Sequence, residues 1–241
     1  MSEIRREELL ISVIADMLQD LNHVAVGALS PIPGAAALLA RARSKGRLRV
    51  SLLGSQTHNP FTDGGKELFD CAAQGRIDAF FLSGGQIDEE ANINLVGVGD
   101  YPSLDVRWNG SFGSTYLYFL IPRVILFREE HTPRVFVPKV DFISAPGVSE
   151  SGTYRTGGPY ALVTGRCVFN FDKTERRFRL ASLHEGESID SIREATGFTF
   201  DHGKDVPPTS LPDNDSLSLL RGQVADEIAE TYPEFASRVF G

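Results

Sequence analysis

The sequence predicts an α/β protein with an open, mostly parallel sheet flanked by helices, followed toward the C-terminus by a β-hairpin and further helices. Three observations predict it. Helical and strand periods alternate from residue 3 to residue 83, the order that βαβ crossovers produce. The run at 78–83 is short, continuous and aromatic-rich, which suits a strand covered on both faces. Polar, glycine-rich breaks follow the strands, where open α/β sheets place ligands.

Taken in order, residues 3–20 set Ile4, Leu9, Val13, Ile14, Met17 and Leu18 at helical spacing, with Glu3, Glu7, Glu8 and Asp16 on the other side. Residues 23–28 read as a strand. Ser30 then offers an N-cap, with Pro31 and Pro33 in the first turn of an alanine-rich helix that Gly46 ends. A strand at 48–53 leads into the turn-rich stretch 54–65, a helix at 66–74 follows, and then the buried strand at 78–83. Beyond it, 93–98 is a second apolar run, 114–120 reads as a helix and 122–127 as a strand. The stretch 134–140 is a strand candidate whose Pro138 confines it to an edge or bulge, and 144–158 is a long loop. Two strands, 160–171 and 177–183, flank a four-residue turn as a hairpin, and 188–196 is a short helix ended by Gly197. These elements predict an α/β domain over 1–200, a Pro/Asp-rich linker over 201–216 and a helical tail over 217–241, whose Tyr232, Phe235 and Phe240 need a surface to pack on.

Composition narrows the function. A chain of 241 residues with 41% apolar and 23% charged residues is an ordinary globular protein. Its formal charge of −8 excludes a broad nucleic-acid surface, because neutralising phosphates takes clustered Lys and Arg. No apolar run reaches the roughly 18–20 residues that a membrane span needs. The N-terminus mixes acids into its charged stretch and lacks a small-residue cleavage site, so it reads as a helix of a cytoplasmic protein and not as a signal peptide. Cys71 and Cys167 have no CxxC or Cys/His spacing, so two reduced thiols and no metal site are expected.

Chemistry-bearing residues gather at two places. The first is 54–65, where Ser55, Gln56 and His58 follow a strand end; an imidazole is the natural base near neutral pH, although a histidine in such a loop also reads as a turn residue. The second is the stretch around Gly84, Gly85 and Gln86 together with the loop Asn109, Gly110, Ser111, Phe112, Gly113. There glycine lets backbone N–H groups approach a ligand, and the amides suit a carbonyl or a pantetheine amide. Turn formation and capping explain the same residues without a ligand. Arg123, Arg128 and Arg134 are candidates to meet phosphates, whereas Glu129, Glu130 and His131 read as a solvated turn.

Ordered motifs across roughly residues 5–200 give a resemblance. They are GRIDAFFL at 75–82, GQID at 85–88 with Asn92-Ile93-Asn94, NGSFG at 109–113, RVFV at 134–137 with Val140-Asp141-Phe142, SLHEG at 182–186 and IREATGF at 192–198. In this order the chain resembles the β subunit of the family I CoA-transferases, of the glutaconate CoA-transferase type. The resemblance implies a CoA-transferase-like fold, an α subunit as obligate partner, and an acyl-CoA substrate, with coenzyme A as a substrate moiety and no tightly bound cofactor. It puts Ser55 and Gln56 at the matched catalytic position with His58 the only histidine near it, and the residues themselves make Gly84, Gly85, Gln86, Asn109, Gly110 and Gly113 the candidates to meet substrate or CoA.

In the transferases a β-subunit glutamate just after the second strand attacks the thioester. Here that position reads Leu52-Leu53-Gly54-Ser55-Gln56, the next acid is Asp63, and Phe112 replaces a glycine in the second loop. CoA transfer between carboxylic acids is the family activity. A glutamate-less relative that hydrolyses a carbon–carbon bond of a cyclic acyl-CoA, a transferase using Asp63, or a non-catalytic CoA-ester-binding subunit are the alternatives.

Overall fold

A computed structural model describes residues 3–241. Contacts divide the chain into two compact units, 1–81 with 210–241, and 82–209.

The first unit opens with helix α1 (Arg6–Asp16), strand β1 (His23–Val26), helix α2 (Pro31–Arg43), strand β2 (Arg49–Leu52), helix α3 (Gly64–Ala73) and strand β3 (Ala79–Leu82), the last ending at the unit boundary. β1 is central and pairs in parallel with both β2 and β3, so the alternation did encode a parallel sheet. His23 ties the start of this sheet together: its ring nitrogens contact the Arg76 carbonyl at 2.8 Å and Ser51 Oγ at 2.8 Å, and burial pushes its pKa down. Ser30 holds the N-cap position of α2 but makes no side-chain cap; the prolines alone set the first turn.

The second unit begins with the two-residue strands β4 (Gln86–Ile87) and β5 (Ile93–Asn94), which pair with each other, and β6 (Gly97–Val98) and β7 (Val106–Arg107), which do likewise. Helix α4 (Ser114–Leu120) follows, then β8 (Arg123–Arg128), β9 (Pro159–Thr164), β10 (Cys167–Asp172), β11 (Arg177–Leu183), helix α5 (Ile189–Ala195) and β12 (Asp201–His202). β8 pairs in parallel with β9, β9 to β11 run antiparallel, and β12 pairs in parallel with β11. The strands of the first unit are ordered β2-β1-β3, and the longer strands of the second unit β8-β9-β10-β11-β12. Within these two runs four pairs are parallel and two antiparallel, the mostly parallel arrangement expected. Among the described residues no helix is long and apolar enough to cross a membrane.

Several expectations are corrected. The single strand expected over 160–171 is two strands with a tight turn at Gly165-Arg166, because Thr164 turns back to accept the N–H groups of Arg166 and Cys167 on its Oγ1. The stretch 134–140 forms only an isolated bridge, Ile87 to Phe136, consistent with the missing donor at Pro138. The expected linker contains β12 and the start of the next helix. His131 does not lie in a solvated turn: it is buried, bonded at 2.9 Å to both Thr164 Oγ1 and Thr196 Oγ1, and edge-on to Phe136.

The chain returns to the first unit as α6 (Asn214–Leu219), a π turn (Leu220–Val224), α7 (Ala225–Ala229) and α8 (Pro233–Phe240). The surface these aromatics needed is the chain's own. Tyr232 donates its hydroxyl to the Ala28 carbonyl at 2.9 Å, and a Cβ on Gly34 would stand 3.2 Å from Ile228. Glu8, expected on the outer side of α1, is 1% exposed. Burial pushes its pKa up, but bonds from the Arg221 guanidinium at 2.5 and 2.7 Å and from the Arg5 N–H outweigh burial and hold it below the usual range.

Candidate active site

In the first unit the chain leaves β2 through a loop that closes on itself. The Leu52 N–H donates to the His58 carbonyl at 2.9 Å, and Gly54 takes a left-handed φ of 94° at the turn. Ser55 organises this loop from inside. Its Oγ accepts the N–H of His58 at 2.8 Å and of Thr57 at 3.2 Å. The same hydroxyl donates to Glu230 Oε2 at 2.7 Å, and Glu230 Oε1 accepts the Gln56 N–H at 2.6 Å. Those two donors, the Gln56 N–H first, hold the Glu230 carboxyl below its ordinary pKa. Ser55 is thus committed as a brace, while the Gln56 side chain remains exposed.

His58 is half-buried beside a second carboxylate of the same helical segment. Its Nε2 lies 3.4 Å from Glu227 Oε2, an ion-pair distance without hydrogen-bond alignment. That oxygen is buried and makes no hydrogen bond, with Arg41 Nη1 at 3.6 Å as its other charged neighbour, while Glu227 Oε1 accepts from Gln223 at 2.7 Å. An imidazole with a carboxylate on one nitrogen is the arrangement by which enzymes orient a general base. Sequence reading missed both glutamates. Their signal was in the tail, where Glu227 and Glu230 stand three apart and so share one face of a helix.

In the second unit the amides and glycines serve packing to a large degree. Gln86 is buried; its Oε1 accepts from Asn94 at 2.8 Å and from the Asp141 N–H at 2.9 Å, and its Nε2 donates to Asp141 Oδ2 at 3.1 Å. Asn94 in turn bonds Gly97 and the Val96 N–H. Gly85 is required by Trp108, whose ring would stand 2.2 Å from an added Cβ, and Gly84 by the Gln86 carbonyl and Ile93, both at 2.7 Å.

The loop 109–113 is more open. Asn109 is exposed, Gly110 donates its N–H to the Leu95 carbonyl at 3.0 Å, and Gly113 precedes α4. Phe112 is 91% exposed and held at a left-handed φ of 43°, a conformation that costs a bulky residue about 1–2 kcal/mol. The three arginines considered as phosphate ligands are engaged: Arg128 and Arg134 both bind Glu130, drawing its pKa down to about 2, and Arg123 lies over the Tyr160 ring at 4.4 Å. Cys71 and Cys167 are free thiols, and burial pushes Cys167 up to about 12. Among the described residues no His/Cys/Asp/Glu group could hold a metal ion.

A parallel-stranded α/β chain with a polar loop at the end of a strand has the layout in which open α/β sheets place ligands. The Coenzyme A transferase family model matches residues 8–195, and the chain belongs to that family. It is 32% identical over 154 residues to the B subunit of 3-oxoadipate CoA-transferase from Pseudomonas knackmussii, covering 61% of this chain and 58% of that one. It is 30% identical over 151 residues to the B subunit of glutaconate CoA-transferase from Acidaminococcus fermentans, covering 60% and 56%. The matches thus span less than two thirds of these relatives' own length. The cholesterol ring-cleaving hydrolase IpdB subunit of Rhodococcus jostii is 26% identical over 239 residues, covering 91% and 92%. In fold, the chain is similar to the decarboxylase AibA/AibB, with a TM-score of 0.77, 24% identity and coverage of 99% and 100%.

Proposed function

We propose that this chain is the β-type subunit of a two-chain enzyme that acts on acyl-CoA thioesters, with the loop 54–59 at the reacting centre. The observation that carries the reading is the family match across residues 8–195, together with relatives that are themselves B subunits of CoA-transferases. Transfer of CoA between carboxylic acids is the family activity. Coenzyme A is then a substrate moiety, and the partner is the α subunit of the same complex.

A second reading concerns mechanism. No carboxylate lies between Leu48 and Asp63, and the match to a ring-cleaving hydrolase subunit runs through 91% of the chain. Both favour chemistry without a covalent glutamate on the β2 loop. In that reading His58, oriented by Glu227, removes a proton from water, and the hydroxide adds to a ring carbonyl carbon of a cyclic acyl-CoA. The adduct collapses to a carboxylic acid as the adjacent carbon–carbon bond breaks, and the leaving carbon takes the proton from the His58 imidazolium. Gln56 is the residue we assign to hydrogen-bond that carbonyl. Ser55 positions the loop and does not attack. Glu230 is a weakened nucleophile, because the hydrogen bonds from Ser55, Thr231 and the Gln56 N–H stabilise its carboxylate. In the second unit, Asn109, Gly110 and Gly113 are the residues we assign to substrate, with Gly84, Gly85 and Gln86 holding the backbone behind them.

The test is a product assay on the two-chain complex with a panel of acyl-CoA esters, with and without an acceptor acid, followed by borohydride trapping and mass analysis. Acceptor-dependent exchange with an adduct on Asp63 or Glu230 supports transfer and removes the second reading. Turnover without acceptor or adduct, falling about 10²–10⁴-fold in His58→Gln, supports the second reading. No turnover of any ester overturns the enzyme assignment and leaves a CoA-ester-binding subunit.

A further inference from the structure

We propose that the cavity between the loop 147–159 and the β10–β11 turn is an anion site that takes a phosphoryl group. It encloses about 230 Å³ and presents Arg155, Lys173 and Arg176 together with Ser149 and the backbone of Gly147 and Gly158.

Arg155 is the anchor. Its guanidinium donates to the Gly157 carbonyl at 3.1 Å, the Tyr118 carbonyl at 3.1 Å and Ser149 Oγ at 3.3 Å, and packs against the rings of Tyr118 and Phe119 at 5.3 and 5.4 Å. These contacts fix its plane without neutralising it, since carbonyls, a hydroxyl and ring faces carry no full charge. A guanidinium has five N–H donors, so some remain for a ligand.

Lys173 faces the same cavity. Among the described residues neither it nor Arg155 forms an ion pair. Although Lys173 as a residue is exposed, partial burial of its ammonium, and then the charge of Arg155, push its pKa down. The third cation, Arg176, reaches Glu90 only at 3.6 Å and is held at a left-handed φ of 56°. Glu150 also lines the cavity, but makes no ion pair with any of the three.

Two cations that repel each other across a recess, neither of them ion-paired to the Glu150 carboxylate that also lines it, destabilise the chain unless an anion joins them. The recess is smaller than the roughly 300–1,000 Å³ of pockets that swallow a whole small molecule. It fits the head group of a ligand, or free phosphate. A phosphoryl group matches the donors better than a carboxylate does: its three terminal oxygens can meet the guanidinium, the ammonium and the Ser149 hydroxyl together.

The inference stands apart from the acyl-CoA reading, because binding is read without turnover. The full chain, with its partner subunit where the complex is purified, is titrated by calorimetry with inorganic phosphate and separately with adenosine 3′,5′-bisphosphate, against sodium chloride at matched ionic strength. Saturable binding is expected for at least one of the two, weakened about tenfold or more in Lys173→Met, whose melting temperature without phosphate stays at or above the parent value because the repulsion from Arg155 is gone. Arg155→Met should weaken binding at least as much. Bisphosphate binding tighter than phosphate and displaced by coenzyme A assigns the phosphoryl group to a nucleotide-bearing ligand; equal binding assigns it to phosphate itself. Binding of neither, or binding unchanged in Lys173→Met, overturns the site.

Discussion

The loop after β2 and the amide cluster of β4 and β5 are both polar, both close to glycines and both adjacent to strands, yet they spend their polar groups differently. The amide cluster is closed. Gln86, Asn94 and Asp141 satisfy one another and the neighbouring backbone, within a span of 55 residues. The β2 loop is completed from far along the chain, by Glu230 at a separation of 175 residues, and leaves the Gln56 amide and the His58 ring uncommitted to other side-chain hydrogen bonds. Closed networks set shape; a network with donors or acceptors left over can do chemistry.

The sharpest way to break this comparison is Asn94→Ala. It strands the Gly97 oxygen and the Val96 N–H inside the second unit, leaves Gln86 Oε1 with the Asp141 N–H alone, and should cost about 2–4 kcal/mol in a denaturation midpoint. If the loss is under about 1 kcal/mol, the cluster is not closed and its amides are available to a ligand.

Acid tests the interior of the same unit by a different route. Burial first, and the charge of Arg166 second, push His131 from 6.5 down to about 4. The unfolded chain therefore takes up this proton first: stability is full above pH 6.5, drains away as the pH falls toward about 4, and changes no further below that. The loss is on the order of 3 kcal/mol, read as the difference in urea midpoints between pH 7.5 and 4.5, and His131→Gln should abolish that component.

The smallest effect belongs to the open loop. Glu227→Gln keeps the shape beside His58 but removes the charge, and should lower turnover of the complex about tenfold while leaving the melting temperature within the usual range of a surface change. A fall in stability with unchanged turnover would make Glu227 a brace like Glu230, and the two regions would then be alike.

How much of this was legible follows from distance along the chain. The parallel alternation in the first unit was readable because each strand and helix announces itself within about ten residues. His131 was misread because its partners, Thr164 and Thr196, are 33 and 65 residues away, and an isolated Glu-Glu-His looks polar. The single strand over 160–171 hid a turn at Gly165-Arg166 that Thr164 enforces by a local hydroxyl bond. At the candidate site the sequence singled out Ser55, Gln56 and His58, which the fold brings together in one loop. The carboxylates beside them were missed, since Glu227 and Glu230 announce only a shared helix face and nothing local ties a tail helix to a loop that precedes it by some 170 positions. Gly84 and Gly85 illustrate the converse: a glycine pair that invites a ligand reading is fully explained by Trp108, Ile93 and a carbonyl.

The π turn at Leu220–Val224 gives the tail a property that composition does not carry. A π turn holds one residue more than an α turn, so everything beyond it is rotated about 100° from where an uninterrupted helix would put it. Glu227 and Glu230 lie beyond it, and their direction is therefore a matter of phase. Removing one residue, Gly222 for instance, would leave every side chain of the loop and of the tail chemically intact and swing both carboxylates away from it. A single-codon change in length, far from Ser55 and His58 in sequence, can in this way connect or disconnect the loop from its acids, as a gear tooth sets which face of a wheel meets its partner.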